Sequence, residues 1–197
     1  MVKKLLIPAI MMLCLQSAAQ QRTEYTSAGL LKANLALMQS FMVQHPVKNV
    51  YLGGNLEYFT GSHLSMRGDC LWYLDSRKNP AFKQNGVVLF GPLLHYPIKR
   101  SDFYAGLQPG FSFSTPLIIG SDVSENSSYP SRFLPALSVS GGYTFYFSRF
   151  CNFYLGVNYL VSRYRGAEGG SINLDEFIIS AGLGFHLFVI HPHNPYH

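Results

Sequence analysis

The sequence predicts an all-β chain, closed as an eight-stranded antiparallel up-and-down transmembrane β-barrel with an apolar exterior and a small, polar lumen. Three observations predict it. Long stretches alternate between two unlike faces, the connections alternate short and long, and a high apolar content is spread out rather than gathered into helix-length runs. The clearest alternation is "FYAGLQPGFSFSTP", residues 103–116. Phe103, Ala105, Leu107, Pro109, Phe111 and Phe113 fall on one side, and Tyr104, Gly106, Gln108, Gly110, Ser112 and Ser114 on the other. A period of two is an extended strand with two faces.

From the N-terminus, "MVKKLLIPAIMMLCLQSAAQ" places Lys3 and Lys4 before an apolar run that ends in small residues, the layout of a cleaved secretory signal. Its apolar run is shorter than the roughly 20 residues of a spanning helix. Ser17 and Ala19 suit the −3 and −1 positions, so residues 1–19 are expected to be removed. Leu13 before Cys14 is too bulky for a lipoprotein signal. What remains is one domain, a barrel over 20–188 followed by a short tail, 189–197. Strands are expected near 27–42, 49–60, 63–74, 86–97, 102–115, 133–148, 151–164 and 174–188. The first, "SAGLLKANLALMQSFMV", fits a helix equally well by periodicity; barrel closure argues for a strand.

The connections "TGSH", "IKRSD" and "SRFC" are tight turns, whereas "DSRKNPAFKQN", "LIIGSDVSENSSYPSR" and "RGAEGGSIN" are long and polar. That alternation gathers short turns at one end and long loops at the other, as in outer-membrane barrels with short periplasmic turns.

Charge decides which face meets which solvent. Charged residues are 13% of the chain, against the usual ~25% of a soluble domain, although aromatics reach 15%. The strands put their charges on the small-residue face: Tyr51, Gly53, Asn55 and Glu57 oppose Val50, Leu52, Leu56 and Tyr58. Likewise Ser65, Arg67 and Asp69 oppose Leu64, Met66, Cys70 and Trp72. A secreted lipocalin-like barrel would carry many Lys and Glu on its outer face. Here the polar face is mostly Gly, Ser and Asn, which suits the crowded lumen of an eight-stranded barrel. Tyr58, Trp72, Tyr96, Phe103, Phe147 and Phe153 are expected to form aromatic girdles at the two membrane interfaces.

The formal charge of +5, about +3 without Lys3 and Lys4, is scattered and gives no stripe for nucleic acid. Cys70 and Cys151 fall on non-adjacent strands toward different ends, which disfavours a disulfide. The His-containing tail "HPHNPYH" reads as a disordered terminus rather than a metal site. No metal-ligand spacing is present, and no cofactor is expected.

The runs "GGNLEYF", "GLQPGFSFS", "GGYTFYF" and "SAGLGFHLF" resemble the small outer-membrane barrels of the OmpX/OmpA type and, more closely, the PorT-like outer-membrane β-barrel family. The resemblance spans nearly the whole mature chain and implies insertion by a BAM-type assembly machine. "VIHPHNPYH" departs from it by running past the terminal aromatic signal. The implied surroundings are outer-membrane lipid and lipopolysaccharide, with an envelope or secretion-system protein as a possible partner.

A lipid A deacylase or phospholipase needs Ser, His and an orienting group at one depth. His95 has Tyr104 as its expected cross-strand neighbour, Ser112 lies nearer the outer rim, and His186 lies near the inner end. No strand carries closely spaced His and Ser. The expectation is therefore a non-enzymatic barrel with a lumenal polar network of Lys32, Asn55, Glu57, Arg67, Asp69, His95, Gln108, Glu176 and His186. A turn centred near residue 62 sets Glu57 opposite Arg67, as an expected ion pair, and Asn55 opposite Asp69. The alternatives are a lipid-modifying enzyme and a narrow pore.

Overall fold

The computed structural model describes residues 25–44, 47–74, 82–117, 130–148, 150–165 and 171–188. The expected signal segment, the expected tail and parts of the long loops lie outside the described residues. The strands are β1 (Leu30–Met42), β2 (Lys48–Phe59), β3 (Leu64–Leu74), β4 (Phe82–Ile98), β5 (Ser101–Pro116), β6 (Arg132–Tyr146), β7 (Cys151–Arg165), β8 (Ser171–Asn173) and β9 (Glu176–Phe188). Consecutive strands β1 to β7 pair antiparallel, β7 pairs with β9, and β9 pairs with β1. The sheet therefore closes into an eight-stave barrel. β8 is not a stave: it folds back on Arg163–Arg165 as a small rim hairpin inside the loop "RGAEGGSIN".

The ambiguous first segment is a strand, starting at Leu30 after Gly29, whose φ of 87° only glycine adopts easily. The other staves fall within a few residues of the expected ranges, except that β4 begins at Phe82. Short turns hold one end. In the β2–β3 turn the Thr60 hydroxyl donates to the Leu64 carbonyl (3.1 Å). In the β6–β7 turn the Ser148 hydroxyl accepts from the amides of Phe150 (3.2 Å) and Cys151 (2.9 Å). The two-residue β4–β5 turn places Lys99 at φ 55°, a left-handed position.

Alternation sets the two faces. Outward lie Leu35, Leu37, Phe90, Leu94, Phe111, Leu183 and Phe185, all exposed. The outward positions of the described staves hold no carboxylate; Glu57, Asp69, Asp102 and Glu176 are all buried inside. Cys70 and Cys151 are both free thiols.

The lumen departs from expectation in one half. Toward the short turns it is polar, as the sequence implies, but large side chains such as Phe59, Tyr104 and Tyr146 fill it beside the small ones. Toward the long loops it is packed with Met38, Tyr51, Leu71, Tyr73, Phe82, Leu89, Leu134 and Ile178. The hydrophobic alternation fades there because "CLWYL" is apolar on both faces. Position parity still sends Leu71 and Tyr73 inward and Cys70, Trp72 and Leu74 outward.

Candidate functional site

The lumenal network is built where β1 to β5 pass side by side. Lys32 faces Glu57 across β1–β2, Glu57 faces Arg67 across β2–β3, and His95 faces Tyr104 across β4–β5. Being opposite does not decide who bonds to whom. Glu57 turns to Lys32 (2.7 Å), accepts from Ser65 Oγ (2.6 Å) and lies 2.8 Å from His95 Nε2. Arg67 reaches along its own strand instead: Nε donates to Asp69 Oδ2 (2.9 Å), and the guanidinium lies 4.8 Å from the centre of the Tyr104 ring. The expected Glu57–Arg67 ion pair is thus corrected to two pairs, Lys32–Glu57 and Arg67–Asp69. A planar guanidinium gains both a carboxylate and a ring face by turning away, and the compact Lys32 ammonium fills the place it leaves.

Two clusters result. In the lower one His95 Nδ1 lies 2.7 Å from Asp102 Oδ2 and Nε2 lies 2.8 Å from Glu57 Oε1, so carboxylates flank both ring nitrogens. Phe59 covers the imidazole, with ring centres 4.6 Å apart, and also sits under the Lys32 ammonium. Above it, Gln108 Nε2 donates to both Asp69 Oδ2 and the Arg67 carbonyl, and Arg67 Nη2 donates to Gln108 Oε1 (3.3 Å). Burial at this level is nearly complete, 1% exposure for Lys32 and 0% for Glu57. With His95 as the imidazolium between its two carboxylates, each cluster balances its own charge, as buried ions require. Tyr104 spans the lumen because glycines face it: a Cβ at Gly142 would collide with the Tyr104 ring.

The remaining predicted residues sit elsewhere. Asn55 accepts from Asn34 Nδ2 (2.7 Å), and Asn34 accepts from Asn152 Nδ2 (2.6 Å). His186 faces Lys32 on β9, but its ring packs edge-on against Tyr146 (5.0 Å) and Tyr25 (6.1 Å). Tyr25, just before β1, in turn stacks on Tyr146 (5.1 Å). Glu176 is far away at the long-loop end, where the Tyr51 hydroxyl meets its two oxygens at 2.8 and 3.0 Å. Asn85 donates to that hydroxyl (2.8 Å) and accepts from Ser112 and Ser114.

Sequence reasoning missed Ser65 and Asp102. Asp102 stands where the turn "IKRSD" meets the strand expected at 102–115, its alternation with Tyr104 pointing inward, and Ser65 lies on a strand other than that of His95. Together they form a chain with triad-like distances: Ser65 Oγ is 2.8 Å from His95 Nε2, and Nδ1 is 2.7 Å from Asp102. The chain is not poised for attack. A general base must accept the serine proton at Nε2. Here that nitrogen also faces Glu57, and Ser65 gives its hydrogen to the same carboxylate oxygen. Ser65 is 0% exposed, which leaves no approach for a substrate.

The predicted girdle residues lie outward. Tyr96 and Phe103 flank the β4–β5 turn, and Tyr58, Phe147 and the half-buried Phe153 lie near the other short turns. Trp72 lies toward the opposite end, paired with Gly86.

No protein-family profile matches the chain, and no curated protein is detectably similar to it. Solved structures are similar in fold. Neisserial surface protein A aligns with a TM-score of 0.58 at 15% identity, covering 79% of this chain and 95% of that one. The outer-membrane protein OprG of Pseudomonas aeruginosa gives 0.58 at 10% identity, with 84% and 99% covered. The N-terminal β-barrel domain of Pseudomonas aeruginosa OprF gives 0.53 at 15% identity, with 82% and 100% covered. The fold is that of the small eight-stranded outer-membrane β-barrels.

Proposed function

We propose that the protein is a non-enzymatic integral barrel of the Gram-negative outer membrane, with a structural or surface-interaction role and a lumen plugged by its polar network. The observation that carries this reading is the inversion of the faces. A continuous exposed apolar belt surrounds a barrel whose described staves turn all their carboxylates inward, and soluble proteins do not leave so large an apolar surface in water. Export through a cleaved signal, insertion by a BAM-type machine and membership of the PorT-like branch belong to the same proposal. So does contact with lipopolysaccharide and with an envelope or secretion-system protein. Fractionation of cells and heat-modifiable migration in detergent gels test the placement; recovery in the soluble periplasm overturns it. Planar-bilayer recordings test the plug, because a steady conductance from the purified protein favours the pore.

A second reading, a lipid-modifying enzyme, is favoured by the Ser65–His95–Asp102 chain alone. Mass spectra of lipid A and phospholipids from a deletion strain decide it: an accumulated acylated precursor supports the enzyme, and unchanged lipids exclude it.

A further inference from the structure

A groove of about 340 Å³ opens on the outside of the barrel toward the long-loop end, in the range of ligand clefts. One row of paired residues crosses it from strand to strand: Trp72, Gly86, Phe113 and Phe133. Val88 and Phe111 form the row below. Its apolar side chains rise on either side of Gly86, which leaves a notch. Folding does not demand that notch. A Cβ at Gly86 would meet the Trp72 ring at an ordinary 3.6 Å, whereas one at Gly110 on the next strand would collide with the Val88 carbonyl. Gly86 also has no left-handed φ to explain it.

Beside the groove, next to the exposed Gln84 that lines it, stand two exposed basic side chains. Lys83 projects outward on β4, and Arg165 projects outward at the end of β7, where its carbonyl accepts from Arg132 (3.0 Å) beside Phe133. The outward positions of the described staves hold no acid to neutralise them. Strands β4 and β7 are three inter-strand spacings apart, about 14 Å at ~4.8 Å each. One glycerophospholipid phosphate cannot meet both cations. An amphiphile with two separated phosphates and acyl chains hanging between them can.

We propose that this face is a binding site for a diphosphorylated lipid A, with one acyl chain in the notch over Gly86 and its phosphates on Lys83 and Arg165. The site rests on the outer-membrane reading above, which turns the long loops toward the outer leaflet. Trp72 is the only tryptophan of the chain and lines the groove, so its emission reports occupancy.

The test uses purified protein in vesicles of phosphatidylethanolamine and chain-brominated phosphatidylglycerol, whose bromines quench Trp72. Unbrominated diphosphoryl lipid A is titrated in. Relief of quenching is expected at a mole fraction below that of ordinary lipid exchange. Monophosphoryl lipid A should need about fivefold more, and K83A/R165A about twentyfold more diphosphoryl lipid A. G86L should abolish the preference; should it fail to fold, the two exposed charge changes carry the test. Equal relief by diphosphoryl lipid A, monophosphoryl lipid A and plain phosphatidylglycerol would mean ordinary boundary lipid and overturn the site. So would a preference unchanged in K83A/R165A. Trp72 left unquenched by every brominated lipid would instead sink the membrane placement itself.

Discussion

The two ends of the lumen are held by different physics. At the short-turn end Lys32, Glu57, His95 and Asp102 come from four strands and meet within 2.7–2.8 Å. At the long-loop end Met38, Leu71, Tyr73, Phe82, Leu134 and Tyr164 pack as the core of a soluble protein does. β4 and β5 run to 17 and 16 residues, longer than the roughly 9–11 of a minimal spanning strand. The difference teaches which interactions specify and which merely fill. An apolar core tolerates many repackings that keep its total volume and pattern. A buried ionic cluster is satisfied only when each strand sits at one register, since a slip of one residue turns every charge outward.

The largest effect is expected from Glu57→Gln. The substitution keeps shape but removes the charge that Lys32 and His95 share, leaving the buried Lys32 ammonium without its counter-charge while Asp102 still holds His95. Unfolding by urea in detergent micelles should show a loss of about 3–5 kcal/mol. Replacing Lys32 and Glu57 together with apolar residues of similar volume should cost much less than the summed single changes. Glu57 and Arg67, which face each other but bond elsewhere, should couple weakly by comparison. Strong Glu57–Arg67 coupling with independent Lys32 would reverse the pairing described above.

At the opposite end, Leu71→Ala should cost about 2–5 kcal/mol through lost burial and the cavity left behind. Unlike the ionic change, it should be partly rescued by an enlargement within the same cluster such as Ala136→Val, because volume is what that end needs. Failure of every enlargement to rescue would mean the long-loop end is as specific as the ionic one. On the outside, Leu183→Arg should cost roughly 2–4 kcal/mol if the position lies near mid-bilayer. A Leu183→Arg barrel that resists urea as the parent does would show that this face does not meet lipid.

Legibility in the sequence followed the same divide. Alternation with charge on one face was enough for barrel class, sidedness and the Glu57–Arg67 and Asn55–Asp69 registers, because all of these depend on backbone period alone. Side-chain partnership was not legible. Lys32 and Glu57 are 25 positions apart, and what joins them is the reach of two long chains across β1–β2. Asp102 was hidden by its place beside a turn, and Ser65 by being an ordinary small lumenal residue. The apolar half of the lumen was obscured for another reason. Where both faces of a strand are apolar, as in Leu71–Leu74, hydrophobicity carries no period, and only counting on from Asp69 shows which residues turn inward.

The smallest effect tests the comparison most sharply, because it is the same chemical change at the other end. Glu176 is as buried as Glu57, both at 0% exposure, yet no basic side chain among the described residues pairs with it. Its partner is the Tyr51 hydroxyl, at 2.8 and 3.0 Å from the two carboxylate oxygens. In Glu176→Gln the amide oxygen can accept that same hydrogen, and the new NH₂ can donate to Ser40 or Asn49, both beside the carboxylate. No cation loses a counter-charge, and a charge no longer has to be kept away from water. The expected change in urea stability is therefore under about 1 kcal/mol, of either sign, against the several expected at Glu57. The two glutamine variants, unfolded side by side in the same micelles, measure the contrast directly. Equal losses at both sites would mean that Glu176 holds a cation as Glu57 does, and that the two ends of the lumen are built alike.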